Sequence, residues 1–370
     1  MINKERMIKE FIELVSIDSI SLNERNMADT LRRKLEALGL EVIEDDAGKK
    51  AGGSSGNLIG FMKGNKNVPG ILLMAHMDTV TPGLGKKPVI EGNVIKSDGT
   101  TVLGSDDAAG IECILEAIRN IKEEKFEHGN IQIAFTIAEE IGLIGAKNLN
   151  YDKINSKYGF VLDGGGKIGT VAIQAPSQNH IDVTIIGKAA HAGLEPEKGT
   201  SAIQIAGKAV SIMKLGRIDS ETTANIGIIN GGSATNIICD RVEIKAEARS
   251  CDPRKLEAQT LHMKQCFENA ASEFGGKVEF KSELMYPAYK IKEDDKIVSI
   301  LKKASDKAGI ELVLEATGGG SDTNIINGKG IQAVDISVGM TNVHSVSEYI
   351  EIDDMFKASA FLAEIIKAVE

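Results

Sequence analysis

Two adjacent carboxylates close an apolar run in "FTIAEEIGLIGAK", residues 135–147. Burying a charged carboxylate costs several kcal/mol unless a partner offsets it, so Glu139 and Glu140 at the edge of a core call for cations or protons. Partners of the right type occur in the same chain. "ILLMAHMDTV" carries His76 and Asp78, "GSDDAAG" carries Asp106 and Asp107, "YGFVLDGGG" ends in Asp163, and the loop after "IQAVDISVGM" carries His344. His76, Asp106, Glu140, Asp163 and His344 offer two imidazoles and three carboxylates, a donor set for two close cations with one carboxylate bridging. Asp78 lies two residues after His76, on the same face of a strand. There it suits a partner that accepts the second imidazole N–H and fixes the tautomer. On a continuing strand Glu139 and Glu140 point to opposite sides, so one binds metal while the other stands over the metal-bound water.

The elements that must position these groups are legible in the pattern. Four short apolar segments each end in a polar, potentially reactive residue. Between the first two lies "SDDAAGIECILEAIRNIKEE", with Ile111, Ile114, Leu115, Ile118 and Ile121 at helical spacing and Asp106 and Asp107 placed as caps. Strands alternating with helices imply an α/β fold around a mostly parallel sheet. In such sheets ligands sit beyond the carboxyl ends of the strands, where the suspect residues lie. The middle of the chain instead reads β-α-β-β-α-β, a ferredoxin-like α+β unit. It is placed at residues 178–287, inserted into a catalytic domain formed by 1–177 and 288–370.

Bulk numbers bound the answer. A chain of 370 residues exceeds the usual size of one core. A formal net charge of −10 argues against nucleic acid and anionic membrane as partners. The four cysteines show no CxxC pairing, which fits a reduced cytosol, and no apolar stretch resembles a signal peptide or reaches membrane-spanning length. A cytoplasmic protein is expected.

In order and spacing, "HMDTVTPG", "GSDDAAG", "AEEIGLIGAK", "VLDGGG" and "NVHSVSEYI" resemble the M20 family of dinuclear zinc peptidases. "AAHAGLEPEKGTSAI" and "NGGSATNIICDRVEIKAEARS" look like that family's lid, or dimerisation, domain. "GGGSDTN" at 318–324 and the "HSVSEYI" ending are most similar to its peptidase T group of aminotripeptidases. The resemblance implies His76 and Asp163 on one zinc, Glu140 and His344 on the other, and Asp106 bridging, with a cis peptide after it. Glu139 becomes the general base, passing a proton from the bridging water to the leaving amine. From the lid, His191 would steady the oxyanion, and Asn236 and Arg249 would contact substrate, the guanidinium suiting a peptide carboxylate. Two Zn2+ per chain are implied, with Mn2+ or Co2+ compatible with the same donors, and a homodimer through the lid. Asp163, where deacylating relatives usually carry glutamate, favours peptide substrates. One departure is "DDAAG", which in many relatives reads D-D-K-x-G.

Each residue has a plainer reading. Asp106 and Asp107 would serve as helix caps alone, Asp163 as turn chemistry, and His191 and Arg249 as surface charges. The "TGGGSD" stretch is no phosphate cradle, since no lysine follows it, and reads as a loop lining the substrate cleft. The expected activity is release of the N-terminal residue from short peptides such as tripeptides. The alternatives are an M20 hydrolase of other specificity (dipeptidase, glutamate-type carboxypeptidase or N-acyl amino acid amidase) and a non-catalytic peptide-binding protein.

Overall fold

Ile71–His76 and Ile131–Thr136 are buried at every position, as strands covered on both faces must be. The computed structural model describes residues 2–370. Four strands run parallel at the centre of a nine-stranded sheet, in the order Ile131–Thr136, Ile71–His76, Tyr158–Gly165 and Gln332–Met340. Leu58–Met62 and Glu41–Glu44 extend it antiparallel on one side. Because the four central strands point the same way, the residues that follow them come out at one edge of the sheet.

Helix Ser105–Glu124 presents Ile111, Ile114, Leu115, Ile118 and Ile121 to the core, all at most 1% exposed. Its first turn is not regular: Asp106 and Asp107 have non-helical backbone angles, and the peptide between them is cis. The two aspartates divide the expected roles. Asp107 Oδ1 accepts the Gly110 N–H at 3.0 Å, the bond of a helix cap. The Asp106 carboxylate caps nothing and turns toward His76 and His344.

The chain divides into two compact units. The first comprises residues up to Ile173, Lys290–Ala316 and Ser321–Glu370. The second comprises Gln174–Tyr289 with Thr317–Gly320. Its antiparallel sheet runs Gly216–Arg217, Thr222–Gly231, Arg241–Ser250, Ser177–Ile186, Lys277–Tyr286. Helices Ala202–Ile212 and Pro253–Phe274 share one apolar cluster with it. Apart from the two-residue Gly216–Arg217 strand, this is the β-α-β-β-α-β order of a split βαβ unit. Thr317–Gly320, which the sequence pattern leaves in the catalytic part, belongs here: Gly318 O accepts Arg249 Nη1 at 3.3 Å. Among the described residues no helix is long and apolar enough to cross a membrane.

Gly110 shows how closely helix Ser105–Glu124 packs on the sheet. A Cβ there would lie 2.3 Å from Leu162 O and 2.4 Å from Asp107 Oδ1, contacts no side chain tolerates. Gly110→Ala is expected to destabilise the protein by about 1–3 kcal/mol, the usual cost of overpacking a core, measured by urea unfolding. It should also lower activity, because the atoms pushed apart adjoin Asp107 and Asp163.

Candidate active site

His76 ends its strand at 2% exposure. Its Nδ1 lies 2.9 Å from the main-chain oxygen of Asp78. A carbonyl can only accept, so Nδ1 carries a proton, and Nε2 is the ring nitrogen placed to serve a cation. That nitrogen faces Asp106 Oδ1 at 2.9 Å and Asp163 Oδ1 at 3.6 Å. The other Asp106 oxygen lies 3.2 Å from His344 Nε2, which also meets Glu140 Oε2 at 2.9 Å. Asp106 therefore stands between two histidines, with Asp163 on the His76 side and Glu140 on the His344 side. The five expected donors meet in one place.

Two local expectations need correction. Asp78 shares the His76 side of the strand, but its carboxylate is not the main acceptor of the imidazole N–H; Oδ1 is 3.5 Å away. It instead accepts the main-chain N–H of Glu139 at 2.9 Å, that of Glu140 at 3.3 Å, and the Ser21 hydroxyl at 2.6 Å. The strand also does not continue through the two glutamates. It stops at Thr136, and Ala138 takes a left-handed φ of 48°. That turn brings both glutamate amides over Asp78, so one carboxylate aims the whole tandem pair. Glu140 then reaches His344 directly.

The electrostatics are those of too much negative charge in too little solvent. Burial first, then the charge of Asp163, pushes the Glu139 carboxyl well above its ordinary pKa. Asp163 is raised for the same first reason. Burial alone would lower the His76 pKa, but hydrogen bonds to Asp106, Asp163 and Asp78 outweigh it and the net shift is upward. Hydrogen bonds to Asp106 and Glu140 raise His344 to about 10. So much buried negative charge around two histidines is what a site shaped for cations presents. Donor atoms of His76, Asp106 and Glu140 lie within 4.8 Å of one another, as do those of His76, Asp107 and Asp163. Small shifts fit such sets to metal bonds of roughly 2.0–2.2 Å. Asp107 is already committed, accepting the His76 and Gly110 amides, so it holds the strand end against the helix start.

A surrounding ring of acids has no counterpart in the sequence reading. Asp335 accepts the Asp163 N–H at 3.3 Å and the Ser321 hydroxyl at 2.8 Å. Asp322, opening helix Asp322–Gly328, accepts the Thr136 hydroxyl at 2.6 Å and leaves its Oδ1 buried without a partner. Glu24 accepts the Ala138 N–H at 3.0 Å just ahead of Glu139. Glu348 holds the segment before Asp106. Asp322 and Glu348 fall inside "GGGSDTN" and "HSVSEYI", so the motifs held a signal for them. Glu24 carried none, and the signal of Asp335 was its place inside the apolar run "IQAVDISVGM".

The three residues expected from the second domain do not form such a cluster. His191 and Asn236 are exposed neighbours: Ala192 N–H donates to Asn236 O at 2.9 Å, and His191 bridges to Ile237. His191 Nδ1 accepts the Gly193 and Leu194 amides, each at 3.2 Å, which puts the ring proton on Nε2. Arg249, on strand Arg241–Ser250, is forked onto Glu247 with both bonds at 3.0 Å.

A parallel sheet bearing this His and carboxylate cluster defines a metallohydrolase site, and residues 72–368 match Peptidase family M20/M25/M40. The chain belongs to that family and is a metal-dependent, peptidase T-like M20 metallopeptidase. The crystal structure of aminopeptidase PepT from Bacillus cereus is 46% identical, covers 99% of each chain and superposes with a TM-score of 0.93. A tripeptidase from Staphylococcus aureus is 44% identical over 99% of this chain and 98% of its own, with a TM-score of 0.96. The Bacillus subtilis protein carrying the name Uncharacterized protein YqjE is 48% identical over 99% of both.

The buried acids set a pH dependence for the metal-free chain. Burial raises Asp322 to about 6, and Asp335 and Glu24 to about 7. A carboxyl whose pKa rises on folding holds its proton more tightly when folded, so stability falls as pH climbs from about 4 to about 7. His344, raised to about 10, adds stability that is complete below about 6.5 and is lost as pH approaches its folded value. Both act in the same direction. Chelator-treated protein should melt at progressively lower temperature from acid to alkaline pH in calorimetry, and zinc should oppose that decline above neutrality.

Proposed function

We propose that the protein is an aminopeptidase for short peptides, tripeptides among them, acting through two zinc ions. The observation that carries this reading is Asp106 standing between His76 and His344 with Glu139 buried beside them. In the proposed arrangement His76 and Asp163 would hold one ion and Glu140 and His344 the other, with Asp106 available to both. When bound, the ions would polarise the scissile carbonyl and acidify a water.

The chain's own residues supply the rest. Glu139 takes a proton from the attacking water and returns it to the leaving amine. Burial raises its pKa, which makes it a stronger base toward the water, and the same carboxyl can then give the proton back. Asp78 keeps Glu139 and Glu140 aimed by gripping their amides. In the second unit, His191 has Nε2–H available for an oxyanion, and Asn236 and Arg249 would receive the far end of the peptide. Arg249 is already neutralised by Glu247, so a substrate carboxylate must compete with that pair or share the guanidinium. A homodimer through the second unit accords with Ile228 and Ile229 standing exposed on strand Thr222–Gly231. Four free cysteines suit a reduced cytoplasm.

Metal quantitation beside a panel of di-, tri- and N-acylated peptides tests the reading. It requires free N-terminal residues from tripeptides, and release of acetate or formate from N-acyl amino acids instead would overturn it. Glu139→Gln should lower kcat by about 10²–10⁴ or more while zinc content stays at the wild-type level. His344→Ala should leave about one tightly held ion per chain, read by elemental analysis after dialysis.

A further inference from the structure

Glu348 is 1% exposed, and its carboxylate accepts four hydrogen bonds from one short segment. Oε2 takes the main-chain N–H of Leu103 at 2.7 Å and of Gly104 at 2.9 Å. Oε1 takes the Ser105 hydroxyl at 2.5 Å and the Asp106 N–H at 3.1 Å. Helix Ser105–Glu124 has no side-chain cap from its own N-cap residue, Gly104. Its first amides, which need an acceptor, are satisfied from a distant part of the chain. Glu348 is itself pinned: its N–H donates to Ser345 O at 3.2 Å, and its own carbonyl accepts Ser97 N–H at 3.0 Å. It follows His344 by four residues, so one side chain ties the His344 loop to the Asp106 segment.

We infer that Glu348 is a positioning residue that sets the Asp106 carboxylate against His344 and so fixes the spacing of the two metal positions. This rests on the reading of Asp106 and His344 as metal donors. His344 Nε2 and Asp106 Oδ2 lie 3.2 Å apart, and Glu348 connects the loop that carries the first to the amide of the second. The chemistry requires a carboxylate. Four donors converge on two oxygens, and an amide would replace one oxygen with an NH2 group facing two N–H or O–H donors. Those buried donors would lose their acceptor, and the segment would move to find another. Asp106 moves with it, because its own amide is one of the four.

A plain helix-capping role would lower stability and leave the folded protein's metal affinity alone. Chelator-stripped wild type, Glu348→Gln and Ser105→Ala should therefore be titrated with zinc alone in competition with a chromophoric chelator, at a temperature where circular dichroism shows each folded. The expected result is two ions in the wild type, with one of them bound about 10–100-fold more weakly in Glu348→Gln, the usual cost of disturbing a ligand's supporting bonds. Ser105→Ala, which removes one of the four bonds, should shift the same ion by a smaller factor. kcat at limiting zinc should fall in parallel while KM stays within about threefold. Two ions held with wild-type affinity by both variants would overturn the inference and leave the metal reading standing. A wild type that binds no zinc overturns both. Should Glu348→Gln not fold, Ser105→Ala decides alone: weaker binding of one ion supports the inference and unchanged binding overturns it.

Discussion

Negative charge gathered at the carboxyl ends of four parallel strands is the constraint on which the structure of the first unit depends. Asp78, Asp106, Asp107, Glu139, Asp163, Asp322 and Asp335 are each at most 13% exposed at the side chain or residue level, and only His76 and His344 stand among them as bases. Carboxylates so close cannot all ionise without cations. The crowding shows in the upward pKa shifts of both histidines and of the buried Glu139 and Asp163. The fold tolerates the arrangement because the strands beneath are fully buried and the helix packed on them allows no slack at Gly110.

Around the donors, main-chain amides do most of the positioning. Asp78 takes those of Glu139 and Glu140, Asp107 that of His76, Asp335 that of Asp163, and Glu348 that of Asp106. Each acid therefore orients a neighbouring donor through its backbone rather than through its side chain. The side-chain oxygens of Asp106, Glu140 and Asp163 remain turned toward the histidines. Such support holds a donor's direction while leaving its lone pairs available, which is what a metal-dependent peptidase needs.

How far the site could be read beforehand differs residue by residue. His76 and Asp163 announced themselves because each interrupts or ends a run of buried strand residues. His344 sits in a loop with a left-handed φ of 61°, and only its motif marked it. The strand end before Glu139 was hidden because Ile137 and Ala138 are apolar and prolong the pattern past Thr136. The Asp78 carboxylate was placed on the correct side of the strand, near His76 Nδ1, but its shorter bonds to the Glu139 and Glu140 amides were hidden, since those amides arrive only after the chain turns back at Ala138. Glu24 lies in an unremarkable context, and nothing in its neighbours marks it, whereas Asp335 interrupts an apolar strand just as His76 does and was passed over. The second unit was legible in its order of elements because periods of two and 3.6 alternate clearly there. The return of Thr317–Gly320 to that unit was not, because glycines carry no pattern.

By itself the sequence determined which groups were available and which elements would carry them, since burial periodicity and residue chemistry are local properties. It also determined the family, because several motifs recur in fixed order. Tertiary structure alone decided that Asp106 would lie between two histidines, that Glu348 would hold it there, and that the tandem glutamates would turn into one pocket. Those relations join residues as much as 242 positions apart. They arise only when parallel strands deliver their ends to a common edge and the loops fold back over it.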